Sequence, residues 1–341
     1  MDLQEIRQTA RERMKGYCRV CPVCDGRACV GEVPGMGGLG TAASFRDNVS
    51  ALAERKLNMR LVHHVIDPDT SVEICGRTLD MPVLAAPIGG VSFNMGGKVT
   101  EEAYIHGVLE GCVEHGTLGC TGDGVPAFIS EAGFAAISRL GGAGIPFVKP
   151  WEDAELFDKL DKALASGARI VGMDIDAAGL ITLRKMGRPV SPKPVTKLAE
   201  IIKRCPVPFL VKGIMTPDDA KRVRDAGAAG IVVSNHGGRV LDHTPGTARV
   251  LPRVAQAVRG DMAVLVDGGV RTGTDVLKML ALGADAVMIG RPIAVAAVGG
   301  LKEGVEAYLD QVRSELVQAM VLTGTARARA VEPDILFDRE K

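Results

Sequence analysis

From Met81 onward the chain repeats one pattern eight times: a short apolar run, a polar or glycine-containing turn, and a helical stretch. The runs are PVLAAP near Pro82, TLGCT near Thr117, IPFVKP near Ile145, RIVGMDI near Arg169, VPFLVKG near Val207, GIVVSN near Gly230, AVLVDGG near Ala263 and AVMIG near Ala286. Runs of this kind, roughly 25 to 35 residues apart with helices between, are what parallel strands buried on both faces require. Eight βα units close a (β/α)8, TIM-type barrel, here over residues 81–325. The alternative, an open doubly wound sheet, wants a glycine-rich phosphate turn after its first strand, and PVLAAPIGG supplies only a weak version. Residues 1–80 read as a helical and loop segment packed on the barrel, and 326–341 as a C-terminal tail.

Composition agrees: 46% hydrophobic residues with 42 glycines and only 4% aromatics suit a sheet wrapped in Ala- and Gly-rich helices. The formal charge is zero and no run of five like charges occurs, which argues against nucleic acid or an anionic membrane as partner and for a small molecule. No apolar run approaches the roughly 18 residues of a spanning helix. The polar start MDLQEIRQTARERMKGY reads as an amphipathic helix, not a signal peptide, so the expectation is a cytoplasmic protein. GMGGLG at Gly35–Gly40 fits a dinucleotide-binding spacing, but ACVGEVP before it is no strand, and it reads as a flexible loop.

In a barrel of this type the active site forms where the C-terminal strand ends meet the βα loops. Those ends carry Pro87, Ile88 and Gly89 after the first strand, Lys149 after the third, Asp174 after the fourth and Lys212 after the fifth. Ser234, His236 and Arg239 follow the sixth, Asp267, Gly268, Gly269 and Arg271 the seventh, and Gly290 and Arg291 the eighth. Taken singly, a lysine can snorkel and an aspartate can cap a helix. Together they point to a ligand, because unpaired charge at buried strand ends costs several kcal/mol.

DGGVRTGTD and IGRP have the composition of a barrel phosphate site: glycines admit close backbone N–H approach, a helix N-terminus adds positive potential, and Arg271 or Arg291 supplies charge-assisted hydrogen bonds. Lys212 stands two strands away, so the bound molecule is long and carries a second electron-rich part. Flavin mononucleotide (FMN) meets this description, with Lys212 facing its pyrimidine edge.

At this point the sequence resembles the FMN-dependent α-hydroxy-acid oxidases and dehydrogenases, the family of glycolate oxidase, lactate oxidase and flavocytochrome b2. The resemblance is carried by LVKGI, GIVVSNHGGRVLD and VLVDGGVRTGTDVLKMLALGADAVMIGRP, from about Pro206 to Pro292. It implies oxidation of an L-2-hydroxy acid, lactate- or glycolate-like, to the 2-oxo acid. His236 would be the base, Arg239 the carboxylate anchor, Lys212 the residue at flavin N1 and O2, and Asp174 the carboxylate that orients the histidine. Ser234, Asp267, Gly268, Gly269, Arg271, Gly290 and Arg291 would contact FMN, and Pro87–Gly89 would lie near flavin N5. The chemistry agrees: a planar bidentate cation suits a carboxylate, and a histidine takes a proton near neutral pH. The family's members are often homo-oligomers, and the electron acceptor is oxygen, a quinone or a redox protein.

The front half departs from the pattern at substrate-facing positions. Phe147 and Lys149 stand where the family has a glutamine and a tyrosine, and Lys149 is a candidate to bind the substrate carboxylate. No counterpart of the N-terminal substrate tyrosine is found, and of the second substrate arginine only Arg184 and Lys185 lie in the right region. Two alternatives follow: a related FMN barrel such as type 2 isopentenyl-diphosphate isomerase, which leaves SNHGGR unexplained, or a flavin electron-transfer protein without turnover.

Cys18, Cys21, Cys24 and Cys29, half of the chain's eight cysteines, lie within twelve residues at C-x2-C-x2-C-x4-C spacing. Disulfides do not suit a reducing compartment or such short loops. Four thiolates suit tetrahedral zinc or an iron–sulfur cluster, the latter a natural one-electron relay beside a flavin. The plainer reading is four small buried residues without metal.

Overall fold

A computed structural model describes residues 2–337 except 181, 182, 184 and 189. Its eight barrel strands fall on the eight apolar runs. After an antiparallel hairpin of β1 (Val72–Ile74) and β2 (Arg77–Leu79), the barrel is built from β3 (Val83–Ile88), β4 (Gly119–Thr121), β5 (Ile145–Val148) and β6 (Val171–Asp174). β7 (Phe209–Ile214), β8 (Gly230–Val233), β9 (Ala263–Val266) and β10 (Ala286–Ile289) complete it, and β10 pairs with β3 to close the ring. Every pairing in the ring is parallel. β4, β5, β6, β8 and β10 are buried at every position, as strands packed between barrel interior and helices must be.

The N-terminal segment packs on the barrel, and from it Tyr17, Val33, Pro34 and Met36 reach the cavity at the strand ends. Helix α1 (Leu3–Arg13) packs through Ile6 and Ala10 and donates from Arg13 Nη1 to the Val298 carbonyl at 2.8 Å. Helix α2 (Ala43–Glu54) is held by Asp242, the last residue of the SNHGGRVLD stretch. Its carboxylate accepts from the backbone N–H of Thr41, Ala43 and Ser44 and from the Thr41 hydroxyl. Burial works against that carboxylate, but these donors outweigh it and lower its pKa to about 2. α2 lies so near the β8 loop that a Cβ on Gly238, already at φ +76°, would stand 2.5 Å from the Phe45 nitrogen. Among the described residues no helix is long and apolar enough to cross a membrane.

Candidate active site

A cavity of about 940 Å³ opens at the C-terminal ends of the strands, within the range of small-molecule and cofactor sites. It is lined by Pro87, Ile88 and Gly89 on one side and by Lys149, Asp174 and Lys212 on another. His236, Arg239, Asp267, Gly268, Gly269, Arg271, Gly290 and Arg291 complete this wall. All the barrel positions singled out by sequence therefore converge, except Ser234. That serine is fully buried and does not line the cavity; its Oγ accepts from the His236 N–H at 3.0 Å and so shapes the turn.

His236 sits at φ +55°, between Asn235, whose side chain accepts from Gly238 N–H, and Gly237. The turn aims the imidazole inward, and its Nδ1 lies 2.9 Å from Asp176 Oδ1. This corrects the expected pairing: Asp176, not Asp174, is the histidine's partner. Asp174 instead accepts from Lys149 Nζ at 3.1 Å. Asp176 is nearly buried, which would raise its pKa, but Lys212 and His236 outweigh burial and lower it to about 2. A carboxylate on Nδ1 fixes the proton there and leaves Nε2 as the basic nitrogen available to the cavity.

Lys212 is buried, with Nζ 3.7 Å from Asp176 Oδ2 and 3.5 Å from Asp267 Oδ2. Burial alone would favour the neutral amine; Asp176, Asp267 and Asp174 reverse this and raise its pKa, so it is a firm cation. Lys149 is fixed from behind by an unexpected network. Asp123 Oδ2 accepts from the Lys149 N–H at 3.0 Å and from Trp151 Nε1 at 2.6 Å, while Asp123 Oδ1 pairs with buried Lys159.

The other end of the cavity holds Arg239, Arg271 and Arg291. Among the described residues none of the three guanidinium groups forms an ion pair with a carboxylate, although the Arg271 backbone N–H donates to Asp275 Oδ2 at 3.1 Å. Arg291 stacks on Phe45 at 3.8 Å and donates to the carbonyls of Met36 and Gly37. Arg239 donates to the carbonyls of Gly35 and Gly37 and to Asn94 Oδ1. The GMGGLG segment is thus a packed cap over two arginines rather than a free loop. Burial, with Arg239 and Arg271 nearby, lowers the Arg291 pKa to about 9; burial also lowers that of Arg239. Such crowding of cations without counter-charge fits an anionic ligand. The helix over Arg291–Thr323 begins here without a side-chain cap, whereas the helix over Gly273–Ala281 is closed by a Thr272–Asp275 capping box. Free helix N–H groups therefore belong to the β10 end.

The structure does not assemble the four N-terminal cysteines as ligands of one ion. Among the described residues only Asp174, Asp176 and His236 bring three potential ligand atoms within 4.8 Å of one another. Two lysines already neutralise that trio. Cys18, Cys21, Cys24 and Cys29 are half-buried free thiols outside the cavity wall, and Arg271 Nη2 lies 3.7 Å from Cys24 Sγ. The zinc and iron–sulfur expectations are withdrawn on this donor geometry. Sequence reasoning also missed Tyr17, one residue before Cys18, which does line the cavity. Arg184 lies outside the described residues, and Lys185 is exposed and not part of the wall.

The family model for FMN-dependent dehydrogenases matches residues 35–185 and 181–338. The chain is 31% identical over 351 aligned positions to an L-lactate dehydrogenase of Xanthomonas campestris pv. campestris (strain B100), covering 88% of this chain and 90% of that protein. It is 50% identical over 135 residues to a 2-hydroxyacid oxidase of Dictyostelium discoideum, a match spanning 40% of this chain and 35% of that one. The solved structure of mandelate oxidase superimposes with a TM-score of 0.79 at 28% identity over 98% of this chain and 97% of its own. With the closed barrel and the convergent strand-end residues, these matches place the chain in the family of FMN-dependent α-hydroxy-acid oxidoreductases.

Proposed function

We propose that this protein oxidises an L-2-hydroxy acid to the 2-oxo acid, with His236 Nε2 removing the substrate proton, Asp176 holding the imidazole, and Arg239 anchoring the carboxylate. The observation that carries the reading is His236, held by Asp176 from behind, in one cavity with Lys212 and Arg239. The residues present fit FMN. Arg271 has a buried Nε without a partner, the β10 helix has an uncapped N-terminus, and Asp267 and Asp174 each keep a buried carboxylate oxygen unpaired. Arg271, Arg291 and Gly290 would hold its phosphate, Lys212 its pyrimidine edge, and Pro87–Gly89 its reacting side. When bound, the flavin supplies the two-electron acceptor. The chain's own part is to orient the acid and to hold the proton at Nε2, stabilised by Asp176 as positive charge develops.

The wall beyond His236 carries Phe93, Val125, Leu180, Leu183 and Met186. Lys149 is neutralised by Asp174, so this wall offers no free charge to a second carboxylate. The substrate is accordingly a monocarboxylic 2-hydroxy acid with an apolar side chain. The test is anaerobic titration of the purified protein with glycolate, L-lactate, L-2-hydroxyisocaproate, L-mandelate and L-malate, read as loss of flavin absorbance. Bleaching by the apolar acids supports the reading. A yellow protein that none of them bleaches would favour the electron-transfer alternative, and a preference for malate would overturn the apolar specificity.

A further inference from the structure

We propose that Asn94 is the positioning residue of the arginine that anchors the substrate carboxylate: its side-chain amide holds the Arg239 guanidinium in place without cancelling its charge. The inference rests on the anchoring role of Arg239 proposed above and adds a residue which that reading leaves out. An arginine kept to bind an anion meets two opposed demands. Its long side chain must be fixed in one orientation, which takes acceptors, yet an acidic acceptor would neutralise it and compete with the ligand. Neutral oxygens meet both demands. Among the described residues Arg239 has only these: Nη1 donates to the Gly35 carbonyl at 2.6 Å and the Gly37 carbonyl at 3.0 Å, and Nη2 to Asn94 Oδ1 at 3.1 Å. Asn94 is the one side chain bonded to it there. Of the five N–H groups of a guanidinium, the Nε–H and one on Nη2 are left for a ligand.

Asn94 is itself held on both sides. It ends α3 (Val91–Asn94), the short helix that follows β3, and lines the cavity with Arg239. Its Nδ2 donates to the Gly90 carbonyl at 3.1 Å, and its Oδ1 accepts from the Gly35 N–H at 3.4 Å as well as from Arg239. The amide orientation follows from this network, oxygen toward two donors and nitrogen toward an acceptor. One amide therefore joins the β3 loop, the Gly35–Gly37 cap and the anchor on the β8 loop. The base of this bracket is Glu101, whose Oε1 accepts from the Gly90 N–H at 2.9 Å and Oε2 from the Val91 N–H at 2.8 Å. Glu101 is buried, and these two backbone donors are what favours its charged form. With Oδ1 given to two donors, Asn94 acts on a bound acid through Arg239 rather than by a contact of its own. The other two arginines at this end differ. The Arg271 and Arg291 guanidinium groups take backbone carbonyls, a thiol and a phenyl face, and among the described residues neither hydrogen-bonds a side-chain oxygen. The side-chain bracket belongs to the arginine assigned to the substrate.

The test is a double-mutant cycle on the second-order rate constant of anaerobic flavin reduction by the best L-2-hydroxy acid. Wild type, Asn94→Ala, Arg239→Ala and the double variant are compared at matched FMN content. Asn94→Ala is expected to keep FMN and to lose at least about tenfold, the scale of a hydrogen bond to a charged group. In the Arg239→Ala background the same truncation is expected to cost less than about twofold more, because Asn94 acts through that arginine. A loss of similar size in both backgrounds, the mark of a merely structural role, overturns the inference, and so does Asn94→Ala at the wild-type rate. Arg239→Ala at the wild-type rate overturns the anchoring role itself and the inference with it. The isosteric Asn94→Asp gives a second readout that needs no truncated variant to fold. It keeps an acceptor for Nη2 but sets a negative charge against the anchor, so it too is expected to lose at least about tenfold; a wild-type rate in Asn94→Asp overturns the inference.

Discussion

Replacing Asp176 with asparagine keeps the shape of the His236 partner and removes its charge. The Nδ1···Oδ1 separation is 2.9 Å and the carboxylate is nearly buried, so its interaction with an imidazolium is screened less than at a surface. At a charge separation of about 4 Å and an effective dielectric near 20, that interaction is about 4 kcal/mol. It is gained only as His236 takes up the substrate proton, so it falls on the barrier, and at about 1.4 kcal/mol per tenfold it amounts to about 10³-fold in rate. An amide also permits the opposite tautomer, with Nε2 protonated and unable to act as base. The assay is anaerobic stopped-flow bleaching of the bound flavin at saturating acid, with FMN content measured alongside. Asp176→Asn should keep FMN and lose about 10³-fold, whereas Asp174→Asn, one pair further along the wall, should stay within about tenfold of wild type. Asp176→Asn within threefold of wild type, or Asp174→Asn as the crippled variant, would refute the assignment.

Arg239→Lys should raise KM and lower kcat together, because a lysine cannot replace a planar bidentate contact; steady-state kinetics showing either parameter alone affected would separate binding from alignment. Gly238→Ala should destabilise the fold by about 2 kcal/mol or more, since both its positive φ and the Phe45 backbone oppose a Cβ; urea unfolding measures it. Acid should weaken the protein through Asp176 and Asp242, whose pKa values of about 2 lie below the unfolded value of about 3.9. Their contribution, about 2 kcal/mol each, is fully present above pH 4 and is lost as pH falls toward 2. Unfolding free energies at pH 6, 4 and 3 should therefore decline in that window, and less steeply in Asp242→Asn.

The barrel was legible because its strands are buried on both faces, and an uninterrupted apolar run leaves little else for a chain with this spacing to do. The strand-end polar residues were legible for the same reason, since each breaks such a run. The partner of His236 was not. Asp174 and Asp176 are two residues apart and both acidic, so periodicity alone gives them the same side. What separates them is that β6 stops at Asp174 and a 3-10 turn begins at Ile175, carrying Asp176 beneath the histidine and leaving Asp174 to Lys149. The cysteine spacing suggested metal because spacing carries no direction. In three dimensions Cys24 turns to Arg271, and the residue of that segment that reaches the cavity is the neighbouring Tyr17. Of SNHGGRVLD the sequence pointed only to Ser234, His236 and Arg239, yet Ser234, Asn235, Gly238 and Asp242 build the turn and tie down α2.

The proposed role of His236, the base in a site that reduces FMN with a 2-hydroxy acid, is the one on which the other assignments depend. The most direct measurement is anaerobic flavin reduction by the best L-2-hydroxy acid in wild type and His236→Ala at matched FMN content. Both proteins should be yellow, wild type should bleach rapidly, and the variant should react at least about 10²-fold more slowly. Equal rates in the two proteins, or wild type that stays yellow with every acid, would contradict that role.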